Sequence, residues 1–108
     1  AEVHDCFTIA ELLMYEALGL CDAGQGATVL ADGSVYRGGR LPVNLSGGLK
    51  AKGHPVGATG VSMHALSFRQ LTGTAGEIQV AAPRIGVVVN MGGAAVANYA
   101  TVLETGHV

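Results

Sequence analysis

The chain has 108 residues, 49% of them hydrophobic and only 13% charged, with a formal net charge of −2. Its length bounds it to one domain or part of one, and its charge leaves no electrostatic case for nucleic acid or anionic lipid. Two cysteines, Cys6 and Cys21, are too few for a disulfide framework and lack Cys-x-x-Cys spacing, and no apolar run is long enough to span a membrane.

Free-standing soluble domains carry about twice this share of charge, so the composition predicts that much of the surface is hidden against something else. Ala1-Glu2-Val3 reads as the end of a buried strand, and the absence of an initiator Met suggests a fragment. Residues 8–18 read as a helix. Thr8-x-x-Glu11 has the pattern of a capping box, Ile9, Leu12, Leu13, Ala17 and Leu20 share a face, and Gly19 is a stop signal. Residues 19–42, punctuated by glycines and Pro42, read as loop, and 41–45 as a short strand.

A second helix is predicted over 57–71, opened by Gly57-Ala58-Thr59-Gly60. Two glycines there imply close packing rather than intrinsic helicity. A polar linker covers 72–79. Two strands, 85–89 and 94–103, flank Asn90-Met91-Gly92-Gly93 as an antiparallel hairpin. Residues 104–108, including His107, read as a tail. This order gives an α/β fold with a mixed sheet, short of helices to cover both faces of a parallel sheet.

Three polar clusters fall at the ends of predicted strands, where α/β sheets place their sites. The most specialised is Gly53-His54-Pro55. Pro55 disfavours the α region for His54 and the flanking glycines permit close approach, a rigid loop presenting one ring nitrogen. His4-Asp5-Cys6 sits where a strand meets a helix, and a cysteine beside a histidine can be a thiolate at neutral pH. The Asn90-Met91-Gly92-Gly93 turn offers backbone N–H groups to an oxyanion. Each has a plainer reading: Cys6 as a small buried hydrophobe, His4 as a strand-end cap, Gly92-Gly93 as a hairpin turn. A zinc site of His4, Cys6 and His54 lacks the usual spacing and a fourth ligand. Met63, His64 and Phe68 are expected to pack.

Four segments, His4-Asp5-Cys6-Phe7, Asn44-Leu45-Ser46-Gly47-Gly48, Lys52-Gly53-His54-Pro55-Val56-Gly57-Ala58-Thr59-Gly60 and Asn90-Met91-Gly92-Gly93, together resemble the C-terminal half of thiolases over nearly the whole chain. His-Asp-Cys-Phe, in place of the family's common Asn-Glu-Ala-Phe, is similar to the sterol-carrier-protein-2 type and its archaeal acetoacetyl-CoA relatives. The resemblance implies a thiolase-like C-terminal half, a mixed five-stranded sheet with helices, incomplete here and occupying residues 1–108. It implies that the missing first strand is central, so that the piece alone is marginal or misassembled.

The resemblance also implies roles. Asn90 stands where ordinary thiolases carry an acid/base cysteine, and Cys6 supplies that function instead. His54 activates a nucleophilic cysteine and helps bind the thioester oxygen. His4 takes the place of the family's asparagine in that oxyanion hole, and the Gly92 N–H contributes to a second. The nucleophile belongs to an absent N-terminal half, and Cys21, at the far end of the first helix, cannot replace it. The implied reaction is thiolysis of 3-ketoacyl-CoA or the reverse Claisen condensation, with coenzyme A as substrate, no other cofactor and no metal. Implied partners are that half, further copies in a homo-oligomer and an OB-fold/zinc-ribbon protein; the implied location is cytoplasmic, or peroxisomal in a eukaryote. Two other readings are a thiolase-fold aldolase acting on β-hydroxyacyl-CoA and a non-catalytic interaction domain.

Overall fold

In a computed structural model that describes residues 1–106, β1 (Glu2–Val3) leads into α1 (Thr8–Ala17), α2 (Gly26–Ala31), α3 (Gly48–Lys52) and α4 (Thr59–Leu71). A 3₁₀ turn (Gly76–Ile78) precedes the hairpin of β2 (Ile85–Gly92) and β3 (Ala97–Glu104). The tail reading of His107 lies outside the described residues.

The sheet runs β1-β2-β3, with β1 parallel and β3 antiparallel to β2. This is the mixed α/β sheet expected, with three strands among the described residues. Glu2 pairs with Val88 and Val3 with Val89 directly, so in this chain β1 and β2 are neighbours. β1 and β3 are the two edge strands of this sheet.

Strand alternation divides β2 between two environments. Val89 and Met91 pack with the core of Val3, Met14, Tyr15, Val29, Val35 and Val43. Gly86, Val88 and Asn90 face α4. A Cβ on Gly86 would touch Leu71 and Ser67, and Met63 of α4 is wholly buried. Phe68, expected to pack, is instead exposed on the outer side of α4.

Several predicted elements shift for local reasons. α1 begins on an extended Phe7 with no side-chain cap, so Thr8 is already helical and Glu11 turns outward to Tyr15 and Lys50. Of α1's apolar residues, Ala10, Met14 and Tyr15 are buried, whereas Ile9 and Leu13 are exposed. Residues 19–42 contain α2, a single short turn whose Gly26 lies against the Leu12 backbone. α3 is likewise short enough to escape a periodicity test.

Residues 41–45 form no ladder strand. Leu41 and Val43 bond back to Ser34 and Val35, and Asn44 takes over toward β1. Its side chain accepts from Val3 N (2.8 Å) and donates to Val3 O (3.2 Å), acting as a peptide group would. β2 runs on through Asn90, Met91 and Gly92, which pair with Tyr99, Asn98 and Ala97, so the hairpin turn is 93–96.

Candidate active site

The β1–α1 junction carries the first cluster. His4 still belongs to the sheet, donating from its backbone to Val89 O at 3.0 Å. Its buried ring places Nδ1 2.6 Å from Asn90 Oδ1. An amide oxygen only accepts, so Nδ1 carries the proton and Nε2 of the neutral ring is free. Gly60 makes room for this pair: a Cβ there would stand 2.8 Å from Asn90 Nδ2.

The second cluster hangs between α3 and α4. Gly53 (φ 91°) and Gly57 (φ 86°) bracket His54-Pro55-Val56 in conformations that other residues rarely adopt. Pro55 O accepts from the Ala58 and Thr59 amides, starting α4. The Thr59 hydroxyl bonds His54 Nδ1 at 2.7 Å and lies 3.2 Å from Pro55 O, which fixes the ring. Nδ1 is thereby engaged, leaving Nε2 as the other ring nitrogen of His54. The two imidazoles meet edge to face, centroids 4.8 Å apart at 85°.

Beneath the loop lies a carboxylate that sequence reasoning placed in a cluster but gave no task. Asp5, 1% exposed, accepts from Leu49 N at 2.7 Å. Its other oxygen lies 3.9 Å from Lys50 Nζ, which also pairs with Glu11. Gly48 (φ 64°) allows this approach, because a Cβ would collide with the Asp5 carboxylate. Glu2, also buried, accepts from Ser46 Oγ at 2.9 Å, and Ser46 Oγ accepts from Gly48 N. Two buried carboxylates thus fix the start of α3, which leads to His54. Burial pushes the Glu2 carboxyl above its ordinary range, the Ser46 bond and the Lys52 charge offsetting part of this.

All four residues singled out from the sequence, His4, Cys6, His54 and Gly92, line one cavity of about 1170 Å³. Asn90 and Thr59 line it too; they were missed as partners, though both sit inside motifs already singled out. Cys6 is a half-buried free thiol at its wall. Ile9, Leu13 and Ala17 of α1 line it as well, which accounts for the exposed apolar face of that helix. Cys21 packs instead at the periphery of the core. Partial burial and the neighbouring carboxylates of Glu16 and Asp22 hold its thiol above the ordinary range. Among the described residues no three His, Cys, Asp or Glu side chains are grouped to hold a metal ion, and no helix is long and apolar enough to cross a membrane.

Comparison with known proteins identifies relatives of this chain. The sequence profile described as "Thiolase C-terminal domain-like" matches residues 1–105. The chain is 51% identical to human sterol carrier protein 2 over 91 residues, 84% of this chain and 17% of that protein. It is 49% identical to the acetyl-CoA acetyltransferase of Methanothermobacter thermautotrophicus over 92 residues, 85% of this chain and 24% of that protein. The benzoylsuccinyl-CoA thiolase subunit BbsB of Thauera aromatica is 44% identical over 93 residues, again 85% and 24%. The chain therefore spans about a quarter or less of each of these relatives. It belongs to the thiolase C-terminal domain-like family.

Proposed function

We propose that this chain provides the histidine and acid/base side of a thiolase active site, acting on coenzyme A thioesters opposite a nucleophilic cysteine supplied by an N-terminal thiolase half. The observation that carries this reading is the meeting of His4 and His54 at 4.8 Å in a cavity shared with Cys6 and Gly92.

The hydrogen bonds suit the roles. With Nδ1 engaged by Thr59, His54 Nε2 is free to take the proton of the nucleophilic thiol. In thiolysis that thiolate attacks the 3-keto carbon and the C2–C3 bond breaks. The acyl group stays on cysteine, and the bond pair leaves as the enolate of acetyl-CoA. Cys6 protonates the enolate carbon; in the condensation direction its thiolate takes that proton back. A second coenzyme A thiol then gives its proton to the Cys6 thiolate and takes the acyl group, and the released nucleophile recovers its own proton from His54. His4, held through Nδ1 by Asn90, is the side chain placed beside the first oxyanion. The Gly92 N–H serves a second oxyanion, and losing one such donor costs about 3 kcal/mol of barrier. Coenzyme A enters as substrate, and no further cofactor is required. A relative named as a thiolase subunit supports assembly with another chain; a homo-oligomer and an OB-fold/zinc-ribbon protein are further partners in this proposal.

The test is a chimera in which residues 1–105 replace the matching segment of the archaeal acetyl-CoA acetyltransferase. Cys6→Ser should abolish exchange of the acetyl-CoA α-protons with solvent, while acyl transfer to the nucleophile survives. Normal exchange in that variant would remove Cys6 from the mechanism.

A further inference from the structure

Asn90 stands where β2, α4 and the β1–α1 junction meet. Its main chain is held in the ladder opposite Tyr99. A Cβ on Gly60 would lie 2.8 Å from Asn90 Nδ2 and 3.8 Å from its Cγ, so α4 presses on the NH2 end of the amide. The other end, Oδ1, meets His4 Nδ1 at 2.6 Å. His4 is also tied through its backbone to Val89 O, so successive residues of β2 hold its main chain and its ring. Among the described residues, Asn90 is the only side chain hydrogen-bonded to His4. The titratable side chains that line the cavity with His4 are Cys6, Lys50 and His54. The neighbouring Asp5 carboxylate is committed to Leu49 N and Lys50, and Lys50 also pairs with Glu11. No carboxylate therefore orients His4. An amide oxygen accepts from Nδ1 as a carboxylate would, but it sets no negative charge beside a developing oxyanion, where such a charge would repel.

We propose that Asn90 is a positioning residue for His4: its amide, set by Gly60, fixes the ring plane and the protonated nitrogen of His4 without placing a charge beside it. The proposal rests on the reading above, in which His4 stands beside a thioester oxyanion.

The experiment is a double-mutant cycle in the chimera, read as kcat/KM for thiolysis of acetoacetyl-CoA. Asn90→Ala should lower it about tenfold, and by less than about twofold in a His4→Asn background, where there is no ring to hold. Gly60→Ala, which keeps the amide but crowds it, should also lower kcat/KM and add little to Asn90→Ala. Asn90→Asp keeps the acceptor and adds the charge. That variant should lose rate, and its pH profile should move about one pH unit higher, since a carboxylate favours the charged ring. The move should be absent in the His4→Asn background, which separates His4 from His54 and Cys6. Equal losses with and without the His4 ring would overturn the proposal, Asn90 then acting on substrate or fold alone. The contact is read independently of turnover from the ring-nitrogen chemical shifts of His4 in the histidine-labelled chimera. Nδ1 should be protonated in the unsubstituted chimera, and the tautomers mixed in Asn90→Ala. A folded chimera that neither binds nor cleaves acetoacetyl-CoA would overturn the thioester reading, whereas ring shifts indifferent to Asn90→Ala would overturn the positioning role whatever the activity.

Discussion

α1 has two apolar sides with opposite fates. On one, Met14 and Tyr15 are sealed into the core against Val3, Val29, Val35 and Val43. On the other, Ile9 and Leu13 stand more than half exposed along the cavity wall. Hydrophobic composition is the same on both sides, so composition does not tell a core from a binding wall. Polar partners do. Tyr15 takes its hydroxyl to Glu11 at 2.6 Å and is finished, whereas His54 uses Nδ1 on Thr59 and lines the cavity.

Substitution on the two sides gives the sharpest contrast. Tyr15→Ala should cost about 3–5 kcal/mol in urea unfolding, since a buried ring and its hydrogen bond are lost together. Leu13→Ala should cost less than about 1 kcal/mol. Equal losses would mean that the cavity face is as tightly packed as the core.

A smaller effect separates two glycines of the same handedness. Gly48 and Gly57 both have positive φ, but a Cβ on Gly48 meets the Asp5 carboxylate while one on Gly57 meets nothing within 4 Å. Gly48→Ala should cost about 1–3 kcal/mol, and Gly57→Ala only the backbone strain. The difference, read from paired unfolding curves, measures how firmly Asp5 is held.

The smallest effect is one of pH. Glu2, raised by burial, keeps its proton to higher pH in the folded chain than in the unfolded one. The stability linked to it is therefore complete below the unfolded value and is lost as pH rises through the folded one. Glu2→Gln should gain on the natural chain as pH rises above the ordinary glutamate range, tracked by unfolding midpoints. A difference that stays constant with pH would place the carboxyl in water rather than under Ser46.

Much of this was legible in the sequence. Glycine and proline at 53–57 announced a fixed histidine, and the β-branched run from Ile85 announced the strand that receives it. α2 and α3 were not legible because six and five residues are too few to establish a period. The hairpin turn was placed too early because Gly92 reads as a turn residue, yet it has no positive φ and continues the ladder. What stayed hidden was long-range satisfaction: His4 finds Asn90 86 residues away, and Asp5 finds Leu49 at a distance of 44. Local pattern carries no record of such pairs. Among the described residues, no buried side-chain nitrogen or oxygen lacks a partner, and those partners place the histidines.

Asn44 gives this placement a further property. Its amide reads the N–H and the C=O of the same residue, Val3, so it works as a register key for a strand only two residues long. A slip of β1 by one position would turn every side chain to the opposite face, exchanging His4 with Asp5. The imidazole would then point at the Leu49 amide and the carboxylate at Asn90. A single side-chain amide, remote in sequence and outside any ladder, thereby decides whether the histidine or the carboxylate meets His54.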